Sequence, residues 1–324
     1  MLFEENAAGL SFRWENCPAG ARLLRVYGDT PCPALPAAIG GLPVAEIAPY
    51  CFADSPKAGG GGHLTGPGAD TPGALHPLCG NFLTAVSLPG TVRVLHSAVF
   101  YNCRKLRQLR LGAALDGLGS DLFTNCTALE DFILTSEPAA PSGLKKLLGA
   151  ISADITVRFC PDGAEQARLF YPEYTELLDE NTPAHIFNHS IDGEGYRLRQ
   201  CFTLSTLNFT EYDAAFPVVS IAEPPAKLCR LALGRLLYPY ALAPEAGAAY
   251  RRYLSGHAAD ALSLVIALRD DALLTCLCAG SLLTPAAAQD GAARCARAGW
   301  SEGAARLLAT GPRRAPKRYD FSDI

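Results

Sequence analysis

Four groupings in this chain combine residue types and spacings that could do chemistry. His185 and His189 stand four apart, the spacing at which one helix face offers two imidazoles to a zinc ion. Pro183 argues against a helix there and no Glu follows His185, so a surface or hairpin position is the expected role. Cys276 and Cys278 form a CxC, not a CxxC, and residues two apart on a helix point in different directions. They are expected to be small buried residues at a helix interface. Glu173, Glu176, Asp179 and Glu180 place carboxylates on an expected helix over 164–180, interrupted by Pro172. Carboxylates so spaced could act as acid and base, but a solvated helix face is the commoner outcome. The fourth grouping is Tyr171–Phe216, where Tyr196, Arg197 and Arg199 lie among aromatics, His and carboxylates. An enzyme site of unknown reaction would have to be built there.

The glycine-rich stretches do not read as nucleotide sites. Ala58–His63 (AGGGGH) lacks the Lys-Ser/Thr of a P-loop. Gly193–Arg197 (GEGYR) is not GxGxxG and is expected to be a turn between IFNHSI and YRLRQCFTL, which would form a β-hairpin. No GxSxG occurs. The terminal run with Arg313, Arg314, Lys317 and Arg318 could attract nucleic acid or anionic lipid, but its prolines and following acids read as a disordered tail, 311–324. No catalytic, cofactor-binding or metal-binding residue is assigned, and no cofactor is expected.

The elements that must carry any function repeat at a fixed offset. Leu83, Leu106 and Leu129 fall in one column, as do Val86, Leu109 and Phe132, and Leu88, Leu111 and Leu134. Val92 aligns with Leu115, Leu95 with Leu118, Phe100 with Phe123, Asn102 with Asn125 and Cys103 with Cys126, all 23 residues apart. An earlier, degenerate copy places Val44, Ile47 and Phe52 in the columns of Val92, Leu95 and Phe100. Between the copies lies a Gly/Pro-rich insertion at about 55–80, expected to be a loop. Each LxxLxL segment reads as a short strand with period-2 residues turned inward. One strand cannot bury that face alone, so stacked parallel copies build the core. Phe100 and Phe123 would then form an aromatic ladder with the cysteines beside them.

The pattern LPxxVxxLxxxxFxxCxxLxxLxL from Leu88 to Leu111 resembles the BspA-type leucine-rich repeat proteins of bacteria. The opening RLLRVYGDTPCPALPAAIGGLPVAEIAPYCF is similar to that family's entry repeat. The resemblance covers roughly residues 20–160 and implies a leucine-rich-repeat solenoid, with the domain set at 1–160, and an adhesion or interaction role, many members of the family being secreted. Residues Tyr171 to Asp213 resemble segments of leucine-rich repeat proteins from gut-type bacteria, and no activity comes with that likeness.

Beyond the repeats, a mixed connecting segment is expected over 161–225, with a linker from Pro217 to Pro225. A helical, ankyrin-like domain should follow over 226–310. Leu228, Leu231, Arg235 and Tyr238 mark one stripe, and Pro244, Gly280, Thr284-Pro285, Gly299 and Ser301 mark helix ends. The whole is α+β: a short solenoid, a mixed segment and a C-terminal helical array.

Composition narrows the function classes. The chain has 324 residues, is 49% hydrophobic and only 19% charged, with a formal net charge of −4. Neither half is a polycation, which argues against nucleic-acid binding. The 22 Arg against 6 Lys read as a GC-rich bacterial genome. No run suits a transmembrane helix, and the acidic N-terminus is unlike a signal peptide, so a soluble cytoplasmic protein is expected, with a surface location as the alternative. The 12 cysteines are then expected to be free, mostly buried thiols. The leading functional reading is a non-enzymatic scaffold that binds a protein partner through the concave face of the repeat sheet. The residues between the inward leucines would form it: Ala85 and Ser87, Gln108 and Arg110, Asp131 and Ile133. The alternatives are the enzyme site in 171–216 and a cell-surface adhesion protein. The partner itself and the oligomeric state are not legible.

Overall fold

The structure is a computed structural model describing residues 9–310, apart from 56, 59, 71–72, 74, 182–185 and 280–281 and the side chains of 178–188. The chain forms two compact units, Met1–Glu223 with Tyr238–Ala241, and Pro224–Leu237 with Leu242–Ile324. The fold is α+β, a β-solenoid followed by helices.

The first unit opens with β1 (Ser11–Cys17) and β2 (Gly20–Tyr27), an antiparallel hairpin, followed by β3 (Ala38–Ile39) and β4 (Leu42–Ile47). Next come β5 (His63–Thr65), β6 (Ala85–Ser87), β7 (Val94–Leu95), β8 (Gln108–Leu111), β9 (Gly117–Leu118) and β10 (Asp131–Leu134). The helix α1 (Leu144–Gly149) precedes β11 (Ile155–Phe159) and β12 (Ala167–Tyr171). Two sheets result: β5-β1-β2-β4-β7-β9, with β3 beside β4, and β12-β11-β10-β8-β6. The coils of β6–β7 and β8–β9 each contribute one strand to each sheet, because their two apolar clusters must close opposite sides of one coil; after β10 the second strand is replaced by α1.

Register follows the repeat. Val86, Leu109, Phe132 and Val157 lie side by side and fully buried, and the β6–β8, β8–β10 and β10–β11 pairs are parallel. The degenerate first copy is a true coil: Val44, Ile47 and Phe52 are fully buried. Phe52 stacks on Phe100 at 5.3 Å and Phe100 on Phe123 at 5.9 Å. Asn102 and Asn125 share the left-handed conformation (φ 63° and 61°), which Asn tolerates better than most residues, and their side-chain amides bond at 2.7 Å.

Several expectations need correction. The insertion is not only loop: it supplies β5, which pairs with β1 from Phe12↔Thr65 to Trp14↔His63. Gly62 makes this possible, since at φ 70° a Cβ there would collide with the Trp14 carbonyl. The expected helix over 164–180 is instead β12 and β13 (Thr175–Asn181). The partner of IFNHSI is therefore not YRLRQCFTL. β14 (Ile186–Asp192) pairs with β13, and Gly193 (φ 92°) leads into a five-residue helix, α2 (Gly195–Arg199). Thus GEGYR does open a helix after a strand, although its glycines still do not match a dinucleotide motif. A small hairpin, β15 (Phe202–Thr203) and β16 (Thr206–Leu207), precedes α3 (Phe209–Ala222). Asn208 caps α3, accepting from the Glu211 N–H at 3.1 Å. Pro217 lies inside α3, so only Glu223 and Pro224 separate it from the next helix.

The second unit contains α4 (Pro225–Leu237), α5 (Pro244–Gly256), α6 (Ala258–Leu268), α7 (Asp271–Ala279), α8 (Pro285–Arg297) and α9 (Ser301–Ala309). Helix α4 packs on α5, α6 and α7, and α8 on α9. Thr284 caps α8, and Gly299 (φ 69°) ends the turn before α9. The stripe assigned to Tyr238 stops at Leu237, because Tyr238 belongs to the first unit. Gly280 and the tail 311–324 lie outside the described residues.

Candidate partner-binding face

The strands β6, β8, β10, β11 and β12 hold their outward side chains in two rows, because paired residues in register share a face. One row runs Ala85, Gln108, Asp131, Thr156. The other runs Ser87, Arg110, Ile133, Arg158, Arg168. Ser87, Gln108, Arg110, Asp131 and Ile133 are half-buried, as outward sheet positions should be. Ala85 departs from expectation: it is 2% exposed. Its short side chain lies between Gln108 on one side and the segment from Pro31 on the other, whose Pro31 carbonyl accepts the Ala85 N–H at 3.3 Å. It offers a partner no surface.

The polar groups of the face are ordered by one another. Gln108 Nε2 donates to Asp131 Oδ2 at 3.0 Å. Glu165 lies between two arginines, accepting from Arg158 Nη2 at 2.6 Å and from Arg168 Nε at 2.7 Å. Burial alone would raise the Glu165 carboxyl, but the hydrogen bonds from Arg168 and Arg158 outweigh it and hold it below the ordinary carboxylate value. The Arg168 guanidinium also lies 5.0 Å from the centre of the Tyr238 ring. Among the described residues, Arg110 has no hydrogen-bond or ion-pair partner.

Arg158, Glu165 and Arg168 were not expected in this face, and Thr156, which ends the first row, is buried like Ala85. The step from Ile133 to its neighbour Arg158 is 25 residues rather than 23, because α1 is inserted into that coil. The fixed offset therefore fails at β11. The alternation in ITVRF was the signal that could have found it.

The remaining chemical groupings are dispersed. His185 lies outside the described residues, and His189 on β14 bonds Glu176 on β13 at 2.5 Å at the surface. Residues Glu176, Asp179 and Glu180 thus lie along strand β13, with Glu173 just before it, and not on a helix. Tyr196 is partly exposed against Tyr174, and Arg197 pairs with Glu194 at 2.6 Å. Arg199 turns inward, donating to the carbonyls of Pro172, Gly195 and Ala153, with Tyr171 and Tyr174 alongside its guanidinium. Its role is to tie three backbone segments together, so the three residues converge on no shared point. Cys276 and Cys278 are half-buried, and Cys276 lines an open groove of about 330 Å³ with Leu236, Leu237 and Arg251. No cluster of His, Cys, Asp and Glu suited to a metal occurs among the described residues. Cys103 donates to the Phe52 carbonyl at 3.2 Å and Cys126 to the Phe100 carbonyl at 3.0 Å, so the repeated cysteine is a packing and bridging residue.

The coils, the inward leucines and the Phe ladder define a leucine-rich-repeat solenoid. Residues 78–140 match the family described as BspA type Leucine rich repeat region (6 copies), and the chain therefore carries a repeat region of this type. Among solved structures, it is similar to a leucine rich cell surface protein from Faecalibacterium prausnitzii A2-165, at 18% identity over 41% of this chain and 31% of that one, with a TM-score of 0.27. It is also similar to the T. pallidum Leucine Rich Repeat protein, TpLRR, at 21% identity over 38% of this chain and 68% of that one, with a TM-score of 0.22. No curated protein matches the chain. No helix among the described residues is long and apolar enough to cross a membrane.

Proposed function

We propose that this protein is a non-enzymatic interaction scaffold that binds a protein partner on the outer face of its five-stranded sheet. The observation that carries this reading is the row Ser87, Arg110, Ile133, Arg158, Arg168, held in register by main-chain pairing. Side chains fixed by a sheet lose little freedom on binding, which is the condition under which a modest surface gives useful affinity. We place it in the cytoplasm, with the cell surface as the alternative that fractionation of the host decides. Affinity purification with mass spectrometry tests the binding face. Ile133→Trp keeps the inward core and fills the centre of the row. Partner recovery is expected to fall sharply relative to the unaltered chain, while unchanged recovery would exclude this face.

A further inference from the structure

The outer row has a chemical character that names its partner's. Arg110 stands on β8 between Ser87 on β6 and Ile133 on β10, neither of which carries charge. It is half-buried and has no hydrogen-bond or ion-pair partner among the described residues. The acids nearest in the sheet are committed elsewhere: Asp131 accepts from Gln108, and Glu165 is shared by Arg158 and Arg168. The neighbouring group sets two guanidiniums, Arg158 and Arg168, around the one Glu165 carboxylate, with Asp131 acting on Arg158 from the adjoining row. The row therefore runs cation, apolar side chain, cationic group, with Arg110 and Arg158 two rungs apart, roughly 10 Å.

We propose, resting on the binding face argued above, that the partner is an acidic protein segment that seats a carboxylate on Arg110 and an apolar side chain on Ile133. A guanidinium fixed on a strand presents a planar pair of donors, which suits a carboxylate in two-point contact. Three residues of extended chain also span roughly 10 Å, so a second carboxylate reaches the Arg158–Arg168 group. Asp131, on the neighbouring row, repels an acid placed out of register and sets where the segment lies.

The test uses the full chain and a short fluorescein-labelled polyglutamate peptide, with polylysine of equal length as the opposite probe. Polyglutamate is expected to bind at low salt and to weaken as salt rises, and polylysine not to bind. Arg110→Glu should weaken polyglutamate binding about tenfold or more, and Arg110→Gln less, with far-UV dichroism unchanged. Lys145→Glu on α1 makes the same charge change at an exposed site and should have little effect. Equal binding of both peptides, or equal loss from Arg110→Glu and Lys145→Glu, overturns the acidic partner. If Ile133→Trp abolishes capture of the native partner while Arg110→Glu and salt do not, the face stands and its acidic chemistry falls. If neither substitution matters, both readings fall.

Discussion

Cys51 has no exposed surface, and burial, only partly opposed by the nearby Arg25, pushes its thiol from an ordinary 9.0 up to about 12. Burial likewise pushes Cys126 and Cys229 up to about 12 and Cys201 up to about 11. These thiols hold their protons in the folded state at a pH where the unfolded chain releases them. Above pH 9 the unfolded state therefore binds fewer protons, and stability falls with rising pH. The denaturant midpoint should be flat near neutrality and decline steadily from pH 9 upward. Cys51→Ala should lower stability at neutral pH yet make that decline shallower, and an unchanged slope would argue against it. Glu165 has the opposite sign. Its carboxyl is held below the ordinary 4.5, so its stabilisation is present above that pH and is lost as acid is added. Glu165→Gln should cost most near neutrality, and the difference from the unaltered chain should close below about pH 4.5 when urea melts are compared. The same residue-scale logic explains why twelve cysteines do not signal chemistry: seven are buried, and the repeated pair bonds to carbonyls of neighbouring coils.

At the scale of elements, β12 is an edge strand, and edges leave N–H and C=O groups without ladder partners. Tyr212 on α3 closes this one: its hydroxyl donates to the Phe170 carbonyl at 2.6 Å and accepts from the Phe170 N–H at 3.1 Å. Tyr212→Phe keeps the ring and strands both groups in a buried place. The expected cost is about 1–3 kcal/mol by urea unfolding, with faster exchange of the Phe170 amide. That α3 and β12 are joined at all is not legible in the sequence. The repeat was legible because identical spacing recurs and each column has one physical role, inward leucine or stacked Phe. The stretch from Thr175 to Asp192 was not. TELLDEN carries adjacent leucines with flanking acids, which satisfy helical spacing as well as strand alternation. What decides is pairing with IFNHSID, a non-local event. The outward residues from Ser87 to Ile133 followed from period-2 alternation, while Arg158 was hidden by the inserted α1 and Arg168 by the helix expected over 164–180, where the chain instead turns back as the antiparallel β12. The burial of Ala85 was hidden because the segment from Pro31 belongs to no repeat. The short β5 shows the same limit, since three residues in a glycine-rich stretch pair only because β1 offers an edge.

Across the whole molecule, a solenoid is stabilised by contacts between adjacent coils, so its stability is close to a sum over coils and their interfaces. The Phe ladder makes this testable. Phe100 is fully buried and stacks on Phe52 at 5.3 Å and on Phe123 at 5.9 Å, the planes within 5° and 11° of parallel. Phe52, at the end of the ladder, stacks on Phe100 alone among these rings. Phe100→Ala therefore removes ring contacts to the coils on both sides and leaves a cavity at the centre of the stack. The expected loss is about 3–5 kcal/mol, the range for a buried aromatic cut to Ala. Phe52→Ala empties a comparable volume but loosens one ladder interface instead of two. Hydrogen exchange separates the cases. In Phe100→Ala the amides of β6, β8 and β10 should all lose protection, whereas in Phe52→Ala the loss should concentrate in β2 and β4 and leave β10 near its original rate. Equal loss throughout the solenoid in both variants would mean that the coils unfold as one cooperative block and that nearest-neighbour addition does not describe this chain.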